Sequence, residues 1–157
     1  MKAVGYTRYG LPDDLKLMEA ALTLTRTWPS LGVGFSISIN SWDWDKVKGI
    51  LFARIDGLFK PGTPILGCDI AGVVEQVGDG VDRLKVGDHV YGDISSGGKW
   101  GGFAEYVATE EHWLATKPED MSFEVAAALP QAGVLALQAL RWNGEVKTGD
   151  VIIDILK

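Results

Sequence analysis

The alternation of apolar and polar residues is clearest between residues 67 and 90. Residues 70–77 alternate as a half-buried strand does. Gly78-Asp79-Gly80 follows as a reversal signal, because glycine adopts positive φ at little steric cost. A Gly87-Asp88 turn then leads into a second apolar run at residues 89–91. Strand, glycine turn, loop, turn and strand predict an antiparallel sheet that folds back on itself, as in a small barrel.

The same pattern predicts further strands on both sides of this block. Residues 2–9 and 15–18 flank a Pro-Asp-Asp turn and predict a hairpin. Strand character recurs later in the chain, at residues 22–25, 35–39, 103–108, 113–118 and 151–156. The interpretation is a mixed α/β, β-rich fold.

Three helices are predicted from cap signals and apolar spacing. Asn40 or Ser41 caps a short helix that Gly49 ends, with acidic residues in its first turn and lysines near its end. Ser122 is the N-cap candidate of a helix over residues 123–129, and Pro130 ends it. A third helix is predicted over residues 132–142. The loop that follows the first of these helices, at residues 50–64, is expected to cover part of a cleft.

Composition narrows the classes of function. The 157 residues suffice for one compact domain with a real core, and 46% of them are hydrophobic. A net charge of −6 argues against a general binder of nucleic acid or membrane surfaces, which would need a basic patch. One cysteine excludes an internal disulfide. With no long apolar run and no secretory signal, we expect a cytoplasmic protein without nucleic-acid or membrane partners.

Three sequence blocks resemble one family. Residues 67–78, GCDIAGVVEQVG, residues 86–90, VGDHV, and residues 101–107, GGFAEYV, are similar to the catalytic domain of medium-chain dehydrogenase/reductase proteins. The resemblance implies a GroES-like, partly open β-barrel with a few helices over residues 1–130. Residues 131–157 would be a linking helix and the first strand of a truncated dinucleotide-binding (Rossmann) domain. Residues 20–38 depart from the family pattern.

The resemblance favours a branch of the family that works without metal. Zinc-dependent members hold the ion with a cysteine and then a His-Glu pair, and the matching positions here are Asn40, Cys68 and Asp69. Asparagine is a poor zinc ligand, and catalytic sites use three protein ligands. We therefore expect no metal. The branch left resembles NADPH-dependent quinone oxidoreductases and related enone reductases, with a small-molecule quinone or enone as substrate.

The resemblance also suggests site residues. Asn40 and Asp43 would be the catalytic pair, unless both only cap the short helix. Trp42, Trp100, Cys68 and Asp69 would line the substrate cleft, although a tryptophan packs in a core or anchors a surface more often, and Cys68 can be a small buried apolar residue. Gln131, Ala132 and Gly133 would lie beneath the cofactor, with Ala132 and Gly133 providing close packing. Leu135 stands where the family has threonine.

The whole sequence contains no G-x-G-x-x-G phosphate loop. We therefore expect the chain as given to bind NADPH weakly or not at all and to be inactive alone. The alternative hypothesis is an isolated GroES-like binding or assembly module without enzymatic activity. Exposed apolar surface makes a homodimer a further expectation.

Overall fold

Two antiparallel sheets and three helices make up the part of the chain that the structure describes. The computed structural model describes residues 1–21, 30–95, 100–142 and 146–150, with side chains throughout except at residues 30–35. The strands are β1 (Lys2–Gly5), β2 (Lys16–Glu19), β3 (Ser30–Ile37), β4 (Asp69–Val77), β5 (His89–Asp93), β6 (Tyr106–Thr109) and β7 (Ala115–Thr116). The helices are α1 (Ser41–Lys48), α2 (Phe123–Ala128) and α3 (Pro130–Trp142), and 3-10 turns lie at Pro12–Asp14, Ala53–Ile55 and Glu111–Trp113.

Strand β4 lies in the middle of the larger sheet, whose strand order is β6-β3-β4-β5-β7. All its pairings are antiparallel, and β4 meets β5 with Ile70 opposite Gly92. The predicted return of residues 70–77 onto residues 89–91 is therefore confirmed. The predicted N-terminal hairpin is also present, as β1 paired with β2. Isolated bridges at Ala3–Ala104 and Gly5–Ile65 join this hairpin to the rest, giving the partly open barrel that the family resemblance predicts.

The two faces of β4 pack against different partners, as the alternation of its residues requires. Ile70 and Val74 are buried in the main core, which also contains Leu84, Val90, Ile94, Val107 and Leu114. Ala71 points the other way and packs against Ala126 and Ala127 of α2. Small residues here let α2 approach the sheet closely, and this contact holds the segment that leads into α3.

The helix ends follow the predicted signals. Asn40 is extended and precedes α1, and Gly49 ends α1 in the left-handed region at φ 65°. A Cβ at Gly49 would lie 2.4 Å from the ring of Tyr9, so both conformation and space require glycine there. Ser122 Oγ accepts a hydrogen bond from the backbone N–H of Val125 at 3.3 Å and caps α2. Helix α3 begins at Pro130, two residues before the predicted start, because a proline in the first turn forfeits no helical hydrogen bond.

Several predicted strands are shorter or shifted. The strand predicted over residues 103–108 begins only at Tyr106, because the N–H of Phe103 donates to the carbonyl of Leu66 instead of to a neighbouring strand. The strand predicted over residues 2–9 ends at Gly5, and that over 113–118 shrinks to Ala115–Thr116 behind a 3-10 turn. The strands predicted at residues 22–25 and 151–156 lie outside the described residues. Among the described helices, none has the length and apolarity to cross a bilayer.

Candidate active site

A cleft of about 520 Å³ opens between strand β5, the segment before β7, and the first turns of α1 and α3. Aromatic and aliphatic side chains dominate its walls, and a few polar groups interrupt them. The lining residues are Trp42, Tyr91, Gly92, Asp93, His112, Trp113, Leu114, Ala115, Pro130, Gln131, Val134 and Leu135. Two predicted site residues, Trp42 and Gln131, therefore line one cleft.

Asp43 and Asn40 are held together at the N-terminus of α1. One oxygen of the Asp43 carboxylate accepts from the backbone N–H of Asn40 at 2.8 Å, and the other accepts from the backbone N–H of Gly67 at 2.9 Å. Burial raises the pKa of Asp43, while these two N–H donors and nearby Lys46 act in the opposite direction. Asp43 thus caps helix α1 and also holds the loop before β4 in place. A catalytic role for this residue stays a prediction.

Asp69 joins three separate segments at the floor of the site. Its Oδ2 accepts hydrogen bonds from Ser38 Oγ at 3.3 Å, from Asn40 Nδ2 at 3.2 Å and from the backbone N–H of Gln131 at 3.3 Å. Its Oδ1 is buried and has no hydrogen-bond partner among the described residues. The side chain is wholly buried, and this burial raises the pKa of its carboxyl group. Asp69 therefore positions both walls of the cleft without facing the cleft itself.

Cys68 lies beside this carboxylate. Ligand atoms of Cys68, Asp69 and Asp93 all lie within 4.8 Å of one another. Burial, and then the carboxylates of Asp69 and Asp93, raise the pKa of the Cys68 thiol to about 12, so it keeps its proton at neutral pH. The amide Nδ2 of Asn40 lies 3.5 Å from the Cys68 sulfur and donates to it. These contacts are those of a small buried residue, which is one of the two roles predicted for Cys68.

The predicted cofactor residues occupy the first turn of α3. The side chain of Gln131 lines the cleft, Ala132 is exposed, and the N–H of Gly133 donates to the Leu129 carbonyl at 2.7 Å. A Cβ at Gly133 would lie at least 3.6 Å from its neighbours, which is ordinary contact. Within the described chain, glycine is thus not required at this position, and the role of Gln131, Ala132 and Gly133 beneath the cofactor stays a prediction.

The two tryptophans predicted to line the cleft are placed differently. The ring of Trp42 lines it and lies 5.8 Å from the ring of Phe52. Trp100 is not among the lining residues, and the Nζ of Lys46 lies 4.5 Å above its ring. Its contact is a cation–π pair with α1, as expected of a surface anchor.

Sequence reasoning missed one wall of the cleft, formed by Tyr91, Asp93 and Trp113. These residues come together because β5 pairs with β7 and because Gly92 lets the chain before β7 approach. A Cβ at Gly92 would lie 2.0 Å from the Trp113 carbonyl oxygen. In the sequence, this wall could have been found from Tyr91 and Asp93, which alternate around a glycine. The indole Nε1 of Trp113 is buried and has no hydrogen-bond partner among the described residues.

Known proteins with related sequences include reductases. The chain is 37% identical over 150 residues to 2-methylene-furan-3-one reductase of Solanum lycopersicum, an alignment covering 92% of this chain and 38% of the relative. It is 43% identical over 139 residues to a chloroplastic NADPH-dependent alkenal/one oxidoreductase of Arabidopsis thaliana, covering 84% and 35%. The chain thus spans less than half the length of these relatives.

Solved structures agree with this comparison. The quinone oxidoreductase of Coxiella burnetii superposes with a TM-score of 0.83 at 33% identity, over 96% of this chain and 47% of the other. Residues 35–119, which are more than half of the sequence, match the family described as the alcohol dehydrogenase GroES-like domain. The chain therefore belongs to this GroES-like family, whose relatives here are quinone and enone oxidoreductases of the medium-chain dehydrogenase/reductase superfamily.

Proposed function

We propose that this chain is the substrate-binding part of an NADPH-dependent, zinc-independent reductase of quinones or enones. The observation that carries the proposal is the cleft lined by the aromatic residues Trp42, Tyr91 and Trp113, which suits a flat conjugated carbonyl compound. The names of the relatives support the same substrate class.

The residues at the positions of the family's zinc ligands do not fit that ion. Zinc binds thiolate, imidazole or carboxylate groups. Here Asn40 directs an N–H donor at the Cys68 sulfur. Burial, and then the neighbouring carboxylates, raise the pKa of the free Cys68 thiol. Oδ2 of Asp69 already accepts three hydrogen bonds. We therefore assign no step of the reaction to a metal.

NADPH, when bound, would supply a hydride to the conjugated substrate. The side chain of Gln131 is the group of α3 that fits a role beside the cofactor, because it lines the cleft while its backbone N–H is already bonded to Asp69. Trp42 and Trp113 would orient the substrate ring, and the apolar side chains of Val134 and Leu135 would exclude water. Asn40 and Asp69 would hold the walls in place. Residues 131–157 as the start of a dinucleotide-binding domain remain part of this proposal.

Ligand binding to the 157-residue chain tests the substrate class directly. 9,10-Phenanthrenequinone, which has no free position for thiol addition, should quench tryptophan fluorescence in a saturable manner. Trp42→Ala should weaken the binding by about two- to tenfold, since one ring contact contributes roughly 0.5–1.5 kcal/mol. The control is Trp142→Ala, because Trp142 is exposed on the last turn of α3 and does not line the cleft. Quenching that does not saturate, or equal affinity in both variants, would refute the proposal.

The cofactor is tested separately. With no G-x-G-x-x-G in its sequence, the 157-residue chain should not oxidise NADPH with this quinone. Calorimetric titration with NADPH should show binding weaker than micromolar. Micromolar binding would mean that the residues present hold the cofactor unaided, and the proposed division of roles would be wrong.

A further inference from the structure

The loop after α1 carries a cluster of large apolar side chains that face solvent. We call residues 50–60 the apolar tip. Five of its side chains are between 61% and 88% exposed: Leu51, Phe52, Ile55, Leu58 and Phe59. Five such side chains expose several hundred Å² of apolar surface, as much as the largest patch on a typical monomer. An exposed cluster of this size within one short loop indicates an interaction surface.

The backbone of the apolar tip is bonded internally. Tyr9 donates its hydroxyl to the carbonyls of Ala53 and Gly57. The Arg54 guanidinium donates to the carbonyls of Gly49, at 2.7 Å, and Leu58, at 2.9 Å. Within the turn itself, backbone N–H groups donate to the carbonyls of Ile50, Leu51, Phe52 and Arg54. Most of the tip's carbonyls therefore have a partner within the protein, which lowers the cost of placing this backbone against lipid.

Basic residues outnumber acidic ones in the apolar tip and the segment just before it. Residues 44–60 contain four basic and two acidic residues, on a chain whose net charge is −6. One of the acidic groups, Asp56, is paired with Lys46 at 3.5 Å. Lys48 and Lys60 are exposed, and the Nζ of Lys48 lies 4.3 Å above the ring of Trp44. A tryptophan and lysines at the border of an apolar surface are the arrangement that anchors proteins at the lipid–water interface.

We propose that the apolar tip docks this protein onto an anionic lipid bilayer, with Leu51 and Phe59 entering the acyl region and Lys48 and Lys60 contacting lipid phosphates. The bulk charge predicted no membrane partner, but bulk charge does not describe a local patch. A bilayer is favoured over a second copy of this acidic chain because basic residues outnumber acidic ones around the tip. The proposal does not rest on the reductase activity.

The test is co-sedimentation of the 157-residue chain with phosphatidylcholine vesicles containing about one-third phosphatidylserine. The wild-type chain should bind these vesicles and lose binding at high salt. The double variant Leu51→Ser/Phe59→Ser should lose about tenfold or more in affinity, because it removes the two apolar side chains that would enter the bilayer. Phe52 is left unchanged since it contacts Trp42 of the cleft.

Matched variants separate this effect from a general loss of apolar surface. Leu11→Ser/Leu17→Ser removes two other exposed apolar side chains, which are 60% and 71% exposed, and should bind as the wild type does. Lys60→Glu should reduce binding to the anionic vesicles at low salt. Thermal melts of all variants should agree within a few degrees, since every altered side chain is exposed.

Three outcomes would overturn the proposal. The first is no sedimentation of the wild-type chain with anionic vesicles. The second is equal binding by the tip variant and its matched control. The third is a dimer in light scattering that the tip substitutions abolish while vesicles remain unbound, because the tip would then be an interface between copies of the chain.

Discussion

The buried carboxylate of Asp69 allows a sharp test of how the cleft is held together. Asp69→Ala removes the acceptor of three hydrogen bonds, from Ser38, Asn40 and the N–H of Gln131. Each such bond contributes about 1 kcal/mol net, so the loss should be about 3 kcal/mol in the free energy of unfolding. For a chain of this size, the Tm should fall by roughly 6–12 °C.

Asp69→Asn separates the hydrogen bonds from the charge. The asparagine oxygen can accept the same three bonds, and its amide nitrogen would occupy the place of the unpartnered Oδ1. Since burial disfavours the charged carboxylate, this variant should be as stable as the wild type at pH 7, or more stable by about 1 kcal/mol.

The pH dependence has a definite sign. The pKa of Asp69 is raised in the folded state, so the folded chain binds a proton at this carboxyl group more tightly than the unfolded chain does. This group's contribution to stability is fully present below its ordinary pKa of 3.8 and is lost as pH rises through the raised value. The advantage of Asp69→Asn over the wild type should therefore be greatest at neutral pH and shrink in acid.

Urea unfolding followed by circular dichroism, at neutral pH and near pH 4, measures these differences. Asp120→Asn is the control, because Asp120 is exposed and its substitution should change stability by no more than about 0.5 kcal/mol. Equal destabilisation by the alanine and asparagine variants would refute the reasoning. So would an advantage of Asp69→Asn that grows as the pH falls.

Three further predictions concern backbone space, a thiol and a helix cap. Gly92→Ala should destabilise the folded chain by about 2 kcal/mol or more and weaken quinone quenching, because the added Cβ meets the Trp113 carbonyl. Gly133→Ala should instead stabilise α3 by about 0.5–1 kcal/mol. Thermal melts and quinone titrations check both variants. Cys68 should resist iodoacetamide at pH 8 in the native chain and react once urea unfolds it, because burial raises its pKa to about 12; fast native labelling would contradict this. Ser122→Ala should cost about 1 kcal/mol in urea unfolding through loss of the α2 cap, and an unchanged midpoint would show that the cap contributes nothing.

Elements with local signals were predictable from the sequence. The alternation in β4, the caps at Asn40 and Ser122 and the stop at Gly49 each depend on residues within a few positions of one another. The three sequence blocks that resemble the family then predicted the fold. Helix α3 was predicted two residues short because proline was read as a break instead of as a first-turn residue.

The contacts that complete the site could not be predicted in this way. Asp93 and Trp113 meet only after β5 and β7 pair, and no local pattern specifies that pairing. The role of Asp69 depends on an N–H that lies 62 residues further along the chain. The solvent exposure of the apolar side chains in residues 50–60 could not be predicted either, because an apolar run in a loop has the same composition whether it packs on a core or faces solvent.

The bonds to Asp69 also bear on the order in which the protein assembles. One oxygen gathers groups that are 31, 29 and 62 positions distant in the sequence. Bringing together such remote segments has an entropic cost that only an already paired sheet can offset. We expect the floor of the cleft to form late in folding and to open early in unfolding, so weakening it should speed unfolding and leave the folding rate almost unchanged.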